Sequence, residues 1–265
     1  NQKIETKYLL GSFARCADNL NELAEVATVA AENQMRSERM KTDLITNVSH
    51  DIKTPLTSII NYIDLLEKTD DPQVRTQYLE VLGRQSQRMK RLIEDLVEMS
   101  RLSSGNVKAD ILPADAAETV MQSLGEFSDK LSAAQLTAVF TPPEAPVRML
   151  CDGRLAWRVM SNLLSNTVKY AQPGTRVYVD LQQQDAQVLI SLKNVSREPL
   201  NVSAEELTER FVRGDRSRNT EGTGLGLNIA KGLMEVQNGQ LALFVDGDLF
   251  KVTLTFPAAE LPAEE

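Results

Sequence analysis

The feature that most constrains the fold is a long N-terminal stretch with helical periodicity and no strand pattern. It runs from about residue 8 to about residue 100, and only one proline, Pro55, occurs in it before Asp71. Its apolar residues recur at helical spacing, as in the series Leu20, Leu23, Ala27, Ala30 and then Leu44, Val48, Ile52. This pattern predicts long helices.

A turn interrupts this stretch at residues 69–72. Thr69, Asp70 and Asp71 offer capping side chains, and Pro72 suits the first position of a new helix. The apolar stripe then resumes, so two helices joined by a turn are predicted. Such a hairpin has one apolar face and little to cover it, and two hairpins facing each other form a four-helix bundle. We therefore expect a homodimer.

The pattern changes after the turn-forming residues 103–106, where short apolar runs begin to alternate with helices. The candidate strands are Leu136–Phe140, Val147–Leu150, Arg176–Leu181, Gln187–Leu192, Leu241–Val245 and Leu249–Phe256. The candidate helices are Ala114–Leu131, Gly153–Tyr170 and Leu225–Gln237. We predict an α+β domain with a mostly antiparallel sheet and helices on one face.

Composition excludes some functions and suggests a location. The 29 Lys and Arg against 37 Asp and Glu give a net charge of -8, which argues against a nucleic-acid partner. No run of roughly eighteen apolar residues that could span a bilayer occurs. The two distant cysteines, Cys16 and Cys151, fit a reducing compartment, so we expect a cytoplasmic fragment. Because the chain begins at Asn1 rather than Met, we also expect an upstream portion that holds the anchor of a cell-membrane protein.

The lone histidine, His50, lies within a predicted helix, five residues before Pro55. A neutral imidazole accepts a phosphoryl group well, since its pKa near ~6.5 leaves a nitrogen lone pair free. Asp51 would fix its tautomer, Thr54 would lie on the same face one turn on, and Pro55 would bend or locally open the helix. The alternative is a surface or packing histidine.

The helix predicted for residues 153–170 has two faces. Its polar stripe consists of Arg158, Asn162, Asn166 and Lys169, and its apolar side consists of Val159, Leu163 and Leu164. Asparagine forms helices poorly, so two of them one turn apart call for an explanation. Amide oxygens suit Mg²⁺ and lysine suits phosphate. The alternative is an exposed polar face.

Glycines alternate at Gly222, Gly224 and Gly226, directly before an apolar-periodic helix. Backbone N–H groups at such a site approach phosphate closely, and the helix presents its positive end. A Rossmann loop would follow a buried strand, whereas a charged stretch precedes these glycines, and the Walker-A lysine is missing. A lid leading into a phosphate-binding turn is therefore predicted, with an ordinary glycine-rich loop as the alternative.

Taken in order, these three segments resemble the histidine, asparagine and second glycine boxes of bacterial sensor histidine kinases of two-component systems. The resemblance covers about residues 37–256. It implies four regions: a helical signalling linker (1–36), a dimerisation and phosphotransfer hairpin (37–104), a gyrase-like α/β sandwich that binds ATP (105–258) and an acidic tail (259–265). It also implies Mg²⁺ as cofactor and a response-regulator protein as partner.

The resemblance assigns roles to individual residues. His50 would be the phosphoacceptor, Asp51 its acid/base neighbour, and Thr54 the residue associated with phosphatase activity. Asn166 would be the Mg²⁺ ligand. The nucleotide site would comprise Asn162, Asn166, Lys169, Tyr170, Asn194, Arg213, Gly222, Thr223, Gly224, Leu225 and Gly226.

One box departs from the family. Asn194 stands where an adenine-reading aspartate is usual, and Ser196 and Glu198 replace two glycines. An amide oxygen still accepts from an amino group, although without the charge. We therefore predict weakened nucleotide binding. Two alternatives to a kinase remain: a phosphatase-dominated or regulatory nucleotide-binding module, and a gyrase-like ATPase subunit for which His50 is incidental.

Overall fold

The computed structural model describes residues 51–200 and 224–259, together with Arg15, Leu20, Asn21, Leu23 and Ala24. The chain divides into two compact units, residues 1–57 and residues 58–265. All described residues of the first unit are helical, and the helix runs through Pro55 without a break. Pro55 therefore does not interrupt the helix, because the fixed φ of proline is helical, and the bend predicted there stays a prediction.

The second unit begins with a helical hairpin, as the sequence predicts. Its helices are α1 (residues 58–68) and α2 (Pro72–Ser103). Asp71 caps α2, since its carboxylate accepts from the N–H of Gln73 at 2.8 Å. The rings of Tyr62 and Tyr78 meet edge to face, with centroids 5.4 Å apart. These contacts hold α1 and α2 antiparallel across the turn.

The rest of the second unit is a sheet with helices. Its elements are β1 (Leu112–Asp115), α3 (Ala116–Ala133), β2 (Thr137–Phe140), β3 (Arg148–Cys151), α4 (Gly153–Tyr170), β4 (Arg176–Gln184), β5 (Gln187–Val195), α5 (Gly226–Val236), β6 (Gln240–Asp246) and β7 (Leu249–Pro257). The main sheet has the order β2-β4-β5-β7-β6. Only β2 and β4 pair in parallel. β1 and β3 form a separate antiparallel pair.

One face of the main sheet carries the core. Ile190 on β5 pairs with Leu254 on β7, and both are almost fully buried. Helices α4 and α5 contribute Leu164 and Ile229, which are also fully buried. On the opposite face Phe244 is 53% exposed. The predicted mostly antiparallel sheet with helices on one face is confirmed.

Six strands and three helices lie where the sequence predicts them, within about two residues at most ends. Strand β1 was not predicted, and Ala114, predicted as a helix start, lies in it. The helix starts later because Asp115 caps it, accepting from the N–H of Ala117 at 2.8 Å. Ala259, placed in the predicted tail, is buried and donates its N–H to Arg148 O at 3.0 Å.

None of the helices described is both long enough and apolar enough to cross a membrane.

Candidate functional site

Helix α4 holds its two asparagines half-buried because its other side is anchored in the core. Val159, Leu163 and Leu164 are at most 2% exposed. Asn162 and Asn166 lie on the polar stripe one turn apart. The Nδ2 atom of Asn162 is fully buried and has no hydrogen-bond partner within the described ranges. A buried donor in this state costs free energy unless a ligand supplies an acceptor.

The start of α5 lies directly against these asparagines. A Cβ added at Gly226 would meet Asn166 Oδ1 at 3.8 Å and Asn162 Oδ1 at 4.0 Å. Gly224 has a φ of +67°, a left-handed conformation that favours glycine. The structure therefore brings together the asparagine stripe, the glycine turn and the positive N-terminal end of a helix.

The opposite ends of α4 and α5 are joined by a buried amide. Gln237 is fully buried, and its Oε1 accepts from the N–H of Asp152 at 3.0 Å. Asp152 in turn caps α4. Burial alone would raise the pKa of the Asp152 carboxyl, but hydrogen bonds from the Arg154 side chain and from backbone N–H groups lower this pKa to about 2. The two site-bearing helices are thus joined by a hydrogen bond at one end and lie close together at the other.

Asn194 lies near the end of β5 and is only 4% exposed. Its Nδ2 donates to Val195 O at 3.4 Å, and its Oδ1 is buried without a partner among the residues described. The reversed amide would place Oδ1 against the Val195 carbonyl oxygen, so this contact supports the assigned orientation. Asn194 therefore presents an unpaired acceptor.

The backbone after Asn194 is held by hydrogen bonds rather than by glycine turns. Ser196 donates its N–H to Asp248 O at 2.7 Å, and Arg197 donates to Tyr170 O at 2.8 Å. Tyr170 ends α4, so the segment that follows Asn194 is tied to the end of the asparagine helix.

Not all predicted site residues fall within the described part of the chain. His50, Arg213, Gly222 and Thr223 lie outside it. Asp51 and Thr54 are helical in the first unit, and Thr54 is exposed. In the second unit, Lys169 and Tyr170 are half-buried on α4, and Leu225 is fully buried before α5.

Sequence reasoning missed two residues near the site. Gln237 was read only as the end of a helix. Arg158 was placed on the polar stripe with no role, and its guanidinium donates to Glu98 Oε2 at 2.7 Å. Gly232 lies inside α5 although glycine is unfavourable within a helix. This was the signal in the sequence that another element packs closely against α5.

The two unpaired atoms define what the site can hold. The donor Asn162 Nδ2 calls for an acceptor such as a phosphate oxygen, while the acceptor Asn194 Oδ1 calls for a donor such as an amino group. Among the described residues no group of three His, Cys, Asp or Glu could hold a metal. A metal there would depend on amide and ligand oxygens, which suits Mg²⁺.

Two family models match this chain. The His Kinase A (phospho-acceptor) domain matches residues 40–105, and the histidine kinase-, DNA gyrase B- and HSP90-like ATPase matches residues 151–260. This chain belongs to the sensor histidine kinases. The order of the two models along this sensor histidine kinase is the order that the resemblance implies.

Curated relatives agree with this family. This sensor histidine kinase is 31% identical to the sensor protein VanS of Enterococcus faecium, over 84% of this chain and 58% of VanS. It is 30% identical to the sensor protein kinase WalK of Staphylococcus aureus, over 84% of this chain and 38% of WalK. The sensor histidine kinase GacS of Pseudomonas protegens is 26% identical, over 89% of this chain and 27% of GacS. The chain therefore spans well under two thirds of these relatives.

Solved structures share the fold of this sensor histidine kinase. The histidine kinase ThkA, in complex with the response regulator protein TrrA, has a TM-score of 0.66 at 19% identity, over 87% of this chain and 66% of that one. The histidine kinase AdeS of Acinetobacter baumannii has a TM-score of 0.64 at 19% identity, over 80% of this chain and 98% of that one.

Proposed function

We propose that this chain transfers the γ-phosphoryl group of ATP to His50. The observation that carries the nucleotide half of the proposal is the pair of buried, unpaired atoms, Asn162 Nδ2 and Asn194 Oδ1. They suit the phosphate end and the amino-bearing base of one nucleotide. Family membership supports the acceptor half, since the phospho-acceptor model includes His50.

The described residues would divide the work of binding. The N–H groups at the start of α5 face a phosphate with the positive helix end. Gly226 leaves space for a phosphate beside Asn162 and Asn166, because it has no side chain to fill it. Among the remaining residues Lys169 and Tyr170 would line the site from α4, and Arg213, Gly222, Thr223, Gly224 and Leu225 would complete it.

In the proposed transfer, a ring nitrogen of His50 attacks the γ-phosphorus, an N–P bond forms, and the P–O bond to the leaving ADP breaks. Asp51 accepts a hydrogen bond from the N–H of the other ring nitrogen, and this bond fixes the tautomer. The negative charge of Asp51 then stabilises the positive charge that develops on the ring. Asn166 would hold Mg²⁺, which when bound neutralises charge on the phosphates. The ATP-binding helices must move to bring the phosphate to His50.

The proposed product is a phosphohistidine, whose labile N–P bond suits onward transfer to an aspartate. We therefore propose a response-regulator protein as partner, as in the complex of ThkA with the response regulator protein TrrA. Thr54 would position water for the reverse, dephosphorylating reaction. The predicted domain limits and an upstream membrane anchor form part of the same proposal.

A homodimer is proposed from the apolar residues that the hairpin leaves exposed. Ile60 and Ile63 on α1 are 52% and 44% exposed, and Ile93 and Val97 on α2 are 46% and 45% exposed. On each helix these pairs recur at helical spacing, so each forms a stripe. A second hairpin would cover them, which gives the four-helix bundle.

A second candidate function follows from the altered segment that starts at Asn194. A neutral acceptor and a hydrogen-bonded backbone replace the usual charge and glycines, so ATP binding could be weak enough for the phosphatase reaction to dominate. Nucleotide bound without label on His50 would favour this alternative.

The test is incubation of the chain with γ-labelled ATP and Mg²⁺. We expect acid-labile, base-stable label that His50→Gln abolishes. Calorimetry distinguishes loss of the phosphoacceptor from loss of nucleotide binding, because His50→Gln should bind ATP as the wild type does. Hydrolysis of ATP that continues unchanged in His50→Gln, without label on the wild type, would instead indicate a gyrase-like ATPase.

A further inference from the structure

The C-terminal part of α2 lies against the two helices that carry the candidate nucleotide site. Asp95, Glu98 and Leu102 recur at helical spacing and so share one face of α2. Arg158 on α4 donates from Nε to Glu98 Oε2 at 2.9 Å. Its Nη2 donates to the same oxygen at 2.7 Å and to Asp95 Oδ1 at 3.2 Å. One guanidinium therefore binds two carboxylates of another helix.

This ion pair is more sheltered than a surface salt bridge. The side chain of Arg158 is 30% exposed, and those of Asp95 and Glu98 are 17% and 23% exposed. Partial burial limits screening by salt, and the shared guanidinium fixes the geometry on both sides. The contact therefore has more strength and specificity than an exposed pair of long side chains.

An apolar contact lies beside the ion pair. A Cβ added at Gly232, inside α5, would lie 3.2 Å from Leu102 Cδ1. Met99, on the same side of α2, is only 1% exposed. Glycine is disfavoured inside helices, so its presence here is explained by the close approach of Leu102.

Both contacts lie close to the nucleotide site along the same helices. Arg158 precedes Asn162 by one helical turn, about 6 Å, and Gly232 follows Gly226 by less than two turns. Helices α4 and α5 are bonded at one end and lie close together at the other. Helix α2 therefore contacts a helix pair that carries most of the described nucleotide residues.

We propose that Arg158, with its carboxylate partners on α2 and the Leu102–Gly232 contact, forms a latch that restrains the ATP-binding helices and sets the rate of autophosphorylation. The proposal rests on the proposed function, which requires these helices to move relative to α2. Arg158 is in this sense a positioning residue: it acts on the location of the nucleotide site and touches no reacting atom.

The first test is Arg158→Gln, which removes the charge and the bidentate contact. Hydrogen exchange of the amides in residues 95–102 and 226–236 should become faster. Autophosphorylation should rise about 5-fold, while the dissociation constant for ATP measured by calorimetry stays within about 2-fold of the wild type, since one turn of helix separates Arg158 from the asparagines. The matched control is Arg154→Gln, on the same helix, whose side chain is 82% exposed and pairs with Asp152 instead.

The second test breaks the apolar contact without changing charge. Gly232→Ala raises helix propensity, but its methyl group would lie 3.2 Å from Leu102 Cδ1, so Leu102 must shift slightly and the contact should weaken. Leu102→Ala in the same chain makes room for the new methyl group. We expect Gly232→Ala and Leu102→Ala each to raise autophosphorylation and the double variant to add little to either, because all three disturb the same contact.

The outcomes separate the latch from the kinase. Faster exchange with an unchanged or lower rate of autophosphorylation would overturn the latch. Unchanged exchange in Arg158→Gln would show that the contact does not hold α2 and would also overturn it. Absence of label in every variant would refute the proposed function, whereas the exchange measurement would still report whether Arg158 holds α2.

Discussion

The two ends of the candidate nucleotide site are built in different ways. The phosphate end, formed by Asn162, Asn166 and Gly226, combines the residue types that the family uses with a close helix-to-helix approach. The base end, formed by Asn194 and the residues up to Glu198, lacks the usual charge and glycines. Its backbone is instead tied to neighbouring carbonyl groups, including Tyr170 O.

The difference shows that the backbone geometry of a site can be fixed by hydrogen bonds without the residue types that usually provide it. At the phosphate end both are present, so chemistry and fold depend on the same atoms. At the base end hydrogen bonds to Tyr170 and Asp248 fix the strand exit, and among the described residues there Asn194 carries a buried acceptor without a partner. Substitutions at the phosphate end should therefore be the more costly for function.

The largest effect is expected for Asn166→Ala. It removes the only proposed protein ligand of Mg²⁺, so autophosphorylation should fall by about 100-fold or more. The apolar side of α4 is untouched, and the melting temperature should change little. Label incorporation and a thermal melt measure the two quantities. Ser165→Ala on the same helix is the control, and equal losses in both variants would point to general damage to α4.

A smaller effect, with an opposite sign for stability, is expected for Asn194→Leu. The change removes a buried acceptor without a partner, which costs about 1–3 kcal/mol, while Val195 O keeps its bond from the N–H of Gln172. The nucleotide-free protein should therefore be no less stable, yet ATP should bind about 10-fold more weakly.

Asn194→Asp sharpens the same point. The charged acceptor should strengthen ATP binding, but burial of an unpaired carboxylate should destabilise the nucleotide-free protein. Calorimetry with ATP and with ITP, which lacks the 6-amino group, separates recognition of the base from general binding. Equal binding of ATP and ITP by the wild type would contradict the role of Asn194.

Gly226→Ala should weaken ATP binding several-fold with little change in stability. The new methyl group would meet the two asparagines at ordinary contact distances of 3.8 to 4.0 Å, so it fits the empty site but occupies the space of a phosphate. The comparison is Gly224→Ala, whose φ of +67° predicts a loss of about 1 kcal/mol in the free energy of unfolding. Unaltered ATP binding in Gly226→Ala would place the phosphate elsewhere.

The last prediction concerns stability alone and leaves nucleotide binding unchanged. The pKa of Asp152 falls from 3.8 to about 2 on folding. Its charged form therefore stabilises the fold by about 2 kcal/mol above pH 4, and this is lost as the pH falls from about 4 toward 2. Urea unfolding should show a flatter acid limb for Asp152→Asn. A parallel acid limb in the variant would assign the acid sensitivity to other carboxyl groups.

Local signals in the sequence were sufficient for most of the fold. Asp71 before Pro72 marked a helix start, and the turn formers at residues 103–106 marked a helix end, because both depend on neighbouring residues only. Strand β1 was missed because its pairing with β3, at a distance in sequence, decides its conformation. Four residues with weak strand character do not reveal such a partner.

The site was predictable to a similar degree. Asn162, Asn166 and Gly226 were expected to act together, and the structure places them in contact range. The direction of Arg158 was not predictable, because helical periodicity gives the stripe on which a residue lies but not the helix that packs against it. The unpaired state of Asn194 Oδ1 likewise depends on the surrounding strands.

The buried bond between Gln237 and Asp152 has a practical consequence for experiments. Together with the close approach of Gly226 to Asn162 and Asn166, this bond ties α4 to α5, so we expect the two helices to move as a pair. Trp157, the only tryptophan of the chain, lies on α4 and donates to Glu126 on α3 at 2.7 Å. Its fluorescence therefore reports any movement of the α4–α5 pair against α3, and no label has to be attached.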